Sequence, residues 1–227
     1  MLPDRRPILC LVSDRRRLCG SCDEVRTRQC LIGQVRAAVQ AGIEMVQIRE
    51  RDMDASRLAT LVTEAMRIAR GSDTRIVVND RLDIAMATGA DGVHLREDSV
   101  PVAAARRGAP PGFLIGRSVH QAVEAAVVAA DADYVIAGTV FATMSKTEND
   151  RLLGQAGLTA IVRTVPVPVL AIGGLSIGNI SAVAAAGAAG IAAIGLFLSE
   201  EAVAGCRSGP LDTVAEQARA RFDGRGR

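Results

Sequence analysis

The chain has 227 residues, 49% of them hydrophobic, enough to bury the core of one large α/β domain. Its 27 basic residues against 25 acidic ones leave a net charge of +2, which gives no general case for a nucleic acid or an acidic membrane surface as partner. Aromatic residues are 2% and tryptophan is absent, which argues against base stacking or an aromatic sugar platform, so a ligand is expected to be held by backbone and charge.

The first predicted strand is the apolar run Pro7–Ser13. An irregular stretch rich in arginine and cysteine follows over 13–28, and no function is read into it. Within it Cys19-Gly-Ser-Cys22 has the spacing of a redox or zinc knuckle, but neither a second close pair nor a nearby histidine completes a four-ligand set. The five cysteines Cys10, Cys19, Cys22, Cys30 and Cys206 are an odd number in a chain without an apolar leader, the pattern expected of a reduced cytoplasmic protein. Short apolar runs and segments of helical period then alternate: helix Val25–Ala41, strand Glu44–Arg49, helix Ala55–Arg70, strand Arg75–Asn79, helix Arg81–Thr88, strand Gly92–Leu95 and helix Pro101–Arg107. The alternation continues with strand Phe113–Arg117, helix His120–Ala130, strand Tyr134–Gly138, helix Gln155–Thr164, strand Val167–Gly173, helix Ile177–Ala186, strand Gly190–Gly195 and helix Leu211–Phe222. No apolar run reaches the ~20 residues needed to cross a bilayer, because glycines break the longest, Ala182 to Leu198.

About eight βα units in this length predict a single (β/α)8 TIM barrel over 1–227, with a disordered tail at 223–227; an open doubly wound sheet is the main competitor. Several helices end in small-residue signals that run straight into the next strand, such as Ala41-Gly42, Gly89-Ala90 and Gly187-Ala188. That repetition favours one repeating unit over two unlike domains. Oligomeric state is left open, with a homo-oligomer allowed.

In such barrels chemistry gathers at the C-terminal ends of the strands, and polar residues interrupt the apolar runs there. Side chains alternate along a strand, so Gln47 and Arg49 point to one side while Ile48 faces the helices. Both polar groups would be costly in an apolar core, which implies a polar pocket; the alternative is that Arg49 or Arg51 pairs with Glu50 or Asp80. Asn79 and Asp80 are placed either to cap the next helix or to meet a ligand. His94 reads as a packed, hydrogen-bonded barrel residue. His120 lies after the fifth strand, just past Ser118, and is either an acid–base group or a residue of the first helical turn. The sixth strand leads through Thr143 to Lys146. Gly173-Gly174 after the seventh strand and Ile194-Gly195 after the eighth suit either a phosphate site built from backbone amides or plain tight turns.

The stretches Gln47-Ile-Arg-Glu-Arg51, Val77-Val-Asn-Asp-Arg-Leu-Asp-Ile-Ala85, Ala90-Asp-Gly-Val-His-Leu95, Ile115-Gly-Arg-Ser-Val-His120, Ala132-Asp-Tyr-Val-Ile-Ala-Gly-Thr-Val-Phe-Ala-Thr143 and Val169-Leu-Ala-Ile-Gly-Gly174 occur in the order of the thiamin phosphate synthase superfamily, which the chain resembles from about Leu9 to Leu198. The superfamily includes true synthases and TenI-type thiazole tautomerases. For a synthase, which couples hydroxymethylpyrimidine pyrophosphate to thiazole phosphate, the resemblance implies that Arg49, Arg51, Asn79 and Lys146 face the pyrophosphate and that Asp80 and Asp98 hold magnesium. For a tautomerase, which moves a proton on a carboxylated thiazole phosphate, it implies His120 as the catalytic group and no cofactor.

Three departures from the synthase pattern, together with Gly116-Arg-Ser-Val-His120, make the chain look more like the tautomerase branch. Arg51 replaces a lysine, the loop Leu95-Arg96-Glu97-Asp98 is one residue shorter, and Gly195 stands where serine is common. The tautomerase is therefore the leading expectation. The synthase is the alternative, and a silent barrel that binds a thiamin-related phosphate as a regulator is a third. In each case the expected partner is a small molecule.

Overall fold

The computed structural model describes residue 2 and residues 7–20, 23–143, 152–198, 206 and 209–224. Eight parallel strands among them close into a barrel: β1 Ile8–Val12, β2 Met45–Ile48, β3 Arg75–Asn79, β4 Gly92–Leu95, β5 Leu114–Val119, β6 Tyr134–Gly138, β7 Val169–Ile172 and β8 Gly190–Ala193. Pairing of β1 with β8, with Cys10 opposite Ala192, closes the ring and rules out the open sheet. The helices are α1 Arg15–Leu18, α2 Glu24–Gln40, α3 Ala55–Ala69, α4 Leu82–Thr88, α5 Val102–Gly108, α6 Ala122–Val128, α7 Gly154–Thr164, α8 Ile180–Ala185 and α9 Asp212–Phe222. No helix among the described residues is long and apolar enough to cross a membrane.

Strand alternation divides the core into two layers. Ile8, Cys10, Val12, Met45, Val77, Leu114, Tyr134, Ile136 and Leu170 fill the barrel interior. Leu9, Leu11, Val46, Ile48, Val78 and Val93 face outward into the larger layer beneath the helices. Gln47 has the parity of Met45, and Asn79 that of Val77, so both point into the barrel as the alternation requires. Register then sets Asn79 beside His94, and His94 beside Gly116.

The observed elements differ from the predicted ones mainly at their ends. Stretch 13–28 is not irregular throughout: Asp14 caps α1 through Arg17 N–H, and Asp23 caps α2 through Val25 N–H, so two short polar side chains start helices there. His120 is not helical. Its backbone N–H donates to Glu124 Oε2 at 2.7 Å, which holds the residue outside α6, and the helix begins two residues later. β2, β7 and β8 stop short of Arg49, Gly173 and Gly195, leaving those residues in the rim loops. Asp223 and Gly224 continue from α9 as a turn.

Candidate active site

The C-terminal rim is organised by a carboxylate network between β1 and β2. Ser13 Oγ donates to Glu50 Oε1 at 2.6 Å and accepts from Arg49 N–H at 2.8 Å. Arg15 Nη1 pairs with Glu50 Oε2 at 3.0 Å, and Arg15 Nη2 with Asp52 Oδ2 at 2.7 Å. Burial pushes the Glu50 carboxyl up, while Ser13 and Arg15 pull it back. Glu50 is thus committed to Arg15, and the expected alternative pairing with Arg49 does not form.

Arg49 is half-buried, and its guanidinium makes no hydrogen bond or ion pair among the described residues. Burial, then the nearby charge of Arg51, lower its pKa; Asp14 and Glu50 oppose this, and Arg96 adds to the lowering. A guanidinium held beside like charges, with no carboxylate bonded to it directly, is an arrangement suited to an anion. Arg51 is exposed beside it, likewise without an ion pair among the described residues. Gln47 is 3% exposed and its Nε2 has no partner among the described residues. An unsatisfied buried donor on the interior face calls for a ligand group.

Asp80 does not cap α4, whose start at Arg81 carries no side-chain cap. Asp80 instead takes a positive φ of 64° and accepts a hydrogen bond from Ser99 Oγ. Ser99 Oγ also accepts from Arg96 N–H at 2.8 Å. Arg96 then joins the two acids, with Nη2 at 2.8 Å from Asp98 and Nη1 at 3.8 Å from Asp80. Asp98 and Asp80 thus face the same cation. Arg117 fixes this loop from behind through the carbonyls of Glu97 and Val100, at 2.6 and 3.1 Å. Two carboxylates meeting at one cationic centre offer hard oxygen donors alone, and such a set fits a small divalent ion that completes its shell with phosphate oxygens and water.

Of the two histidines, His94 is 2% exposed, stacked on Tyr134 at 5.6 Å and bonded through Nε2 to Ser118 Oγ at 2.9 Å. Burial, aided by Arg117, lowers its pKa to about 3, so it stays neutral and structural. Ser118 is engaged with it. His120 reaches the Gly138 carbonyl through Nδ1 and Glu97 Oε2 through Nε2 at 3.2 Å. Both partners are hydrogen-bond acceptors, one a backbone carbonyl and the other an exposed carboxylate.

Asn79 is buried at the end of β3. Thr143 lies half-buried in the sixth loop, and Lys146 falls outside the described residues. Gly173 and Gly174 have φ of 100° and 62°, and a Cβ on either would strike Thr139 Cγ2 at 2.4 Å or the Ala142 carbonyl at 2.3 Å. The close approach of the sixth loop thus accounts for glycine at both positions. Ile194 precedes a 3-10 turn, Gly195–Phe197, and a Cβ on Gly195 would lie 3.2 Å from Arg17 Nη2. The sequence reading missed Arg15, Arg17 and Arg96. The available signal was the run of three arginines directly after the first strand, where a rim loop must lie.

The family described as "Thiamine monophosphate synthase" matches residues 18–197. A thiamine-phosphate synthase of Methanoregula boonei is 41% identical over 192 residues, covering 83% of this chain and 89% of the relative. One of Methanoculleus marisnigri is 39% identical over 181 residues, covering 79% and 86%. Among solved structures, a thiamine phosphate pyrophosphorylase of Pyrococcus furiosus superposes with a TM-score of 0.77 at 29% identity, covering 97% of this chain and 98% of that one. A 3-hexulose-6-phosphate synthase, at 19% identity and a TM-score of 0.65, shares the fold. These relatives bear synthase names, so the leaning of the motifs toward the tautomerase branch is not carried by them.

Proposed function

This chain belongs to the thiamine monophosphate synthase family, and on that premise we propose that it is the synthase of thiamine biosynthesis, a transferase that couples hydroxymethylpyrimidine pyrophosphate to thiazole phosphate and releases pyrophosphate. The observation that carries the reading is Arg49: half-buried, beside Arg51 and Arg96, and without an ion pair among the described residues. As the carbon–oxygen bond to pyrophosphate breaks and the thiazole nitrogen bonds that carbon, negative charge grows on the leaving group. Guanidiniums fixed in advance at that point stabilise the transition state more than the ground state. Gln47 offers its buried N–H to substrate, and Arg17 stands near Gly195 to meet the thiazole phosphate. Asp80 and Asp98 would hold magnesium, which neutralises pyrophosphate charge when bound; Arg96 neutralises both acids in this structure.

A second reading, thiazole tautomerisation by His120, has one observation in its favour: a carboxylate, Glu97, on the histidine at the catalytic rim. Incubation of the purified protein with each substrate set, with and without EDTA, separates the two. Coupling that disappears with EDTA is expected. Proton exchange into the thiazole that survives EDTA, is absent in His120→Asn and occurs without coupling would replace the synthase with the tautomerase.

A further inference from the structure

Three cysteines far apart in sequence meet beside the first rim loop. Cys19 follows α1, Cys30 lies on the buried side of α2, and Cys206 comes after the eighth strand. Cys19 and Cys206 stand opposite one another in an isolated antiparallel bridge. Burial first, and then the neighbouring Cys206 and Cys19 thiols, push the pKa of the Cys30 thiol up. Opposed residues of an antiparallel pair have Cα atoms roughly 4.5–5.5 Å apart, within the roughly 4.4–6.8 Å that a disulfide spans. Cys19 is 2% exposed and Cys30 7%, whereas Cys206 is half-buried, so a small oxidant arriving from solvent meets Cys206 first.

We propose that Cys206 and Cys19 form a peroxide-sensitive redox site whose oxidised state is a disulfide between the first rim loop and the segment that follows the last strand. In the first step the Cys206 sulfur attacks hydrogen peroxide, the O–O bond breaks, and Cys206 becomes a sulfenic acid as water leaves. The Cys19 sulfur then attacks the Cys206 sulfur; the S–S bond forms, the S–O bond breaks, and the oxygen departs as a second water carrying the thiol proton. Two thiols give up two electrons, and the peroxide takes both. Cys19 is the residue that stands opposite Cys206 in the bridge, which places its sulfur and not that of Cys30 for this second attack.

The bond would anchor the turn bearing Arg15, which holds Glu50, and Arg17, which faces Gly195, and so would stiffen the rim between β1 and β8. It would also close a loop of most of the chain, which constrains the unfolded state strongly.

The test is non-reducing peptide mapping of the intact protein after exposure to excess hydrogen peroxide, with thiols counted under denaturing conditions. The expected result is a linked Cys19–Cys206 peptide pair, loss of two of the five thiols, and a higher unfolding midpoint that dithiothreitol reverses. Cys30→Ser should keep the link and Cys206→Ser should abolish it; Cys206 is the less buried partner, so its variant is the one least prone to misfold. A link that runs instead through Cys30 or Cys22, thiols that persist under peroxide, or zinc that copurifies at one ion per chain and shields the thiols would each overturn the proposal.

Discussion

Arg49 and His94 show how burial acts in opposite ways on two groups in one barrel. Arg49 keeps its charge, with neither hydrogen bond nor ion pair among the described residues, so it carries a desolvation cost that folding does not recover. Arg49→Met is therefore expected to lower kcat/KM for the pyrophosphate substrate on the order of 100-fold, about 2.7 kcal/mol of transition-state stabilisation, while the unfolding midpoint stays level or rises. Steady-state kinetics and thermal melts of the same preparation check this, and a matched loss of stability would assign Arg49 a structural role. His94 gives up its charge instead. Its folded pKa of about 3 lies below the ordinary 6.5, so the unfolded chain binds the extra proton first. The stability it contributes is complete above about pH 6.5 and is lost as pH falls toward 3, by up to ~1.4 kcal/mol per pH unit. Urea titrations across that window should show the slope in the wild type and a shallower one in His94→Gln.

At the scale of elements, β5 and β6 meet through a glycine that has no freedom to change. The ring of Tyr134 occupies the space beside Gly116, where a Cβ would lie 2.1 Å from Cζ. Gly116→Ala should destabilise the barrel by about 1–3 kcal/mol, as overpacking does. Tyr134→Phe leaves the clashing carbon in place and should not rescue it; Tyr134→Leu should, giving a non-additive double-mutant cycle in denaturant melts. The presence of β5 and its glycine could be read from the sequence, but the reason for the glycine could not. Tyr134 lies on another strand, and only the register of Gly116 against Tyr134 sets the ring there. The end of β5 was misread in the same way, because the bond from His120 N–H to the Glu124 carboxylate displaces the start of α6.

For the whole molecule, a buried carboxylate ties the last helix to the barrel at the end opposite the candidate active site. Glu44 is 3% exposed; its Oε2 accepts from Leu9 N–H at 2.9 Å, and its Oε1 accepts from Arg219 Nη2 on α9 at 2.9 Å. Glu44→Ala leaves Arg219 with backbone carbonyls alone and a strand N–H without its acceptor, and should cost about 1–3 kcal/mol. Chemical denaturation measures this, and a loss below ~1 kcal/mol would show that Glu44 does not hold α9. The sequence by itself determined the alternating strands and helices of the barrel, the inward parity of Gln47 and the strand ends where the polar residues gather. Those are consequences of local periodicity and glycine punctuation, which a linear reading contains. Tertiary structure alone decided that Glu50 takes Arg15 and leaves Arg49 without an ion pair among the described residues, that Asp80 and Asp98 share Arg96, and that Cys19 stands opposite Cys206. Those pairings join different loops across a closed ring, where distance and burial, and not spacing along the chain, choose the partner of each charge and each thiol.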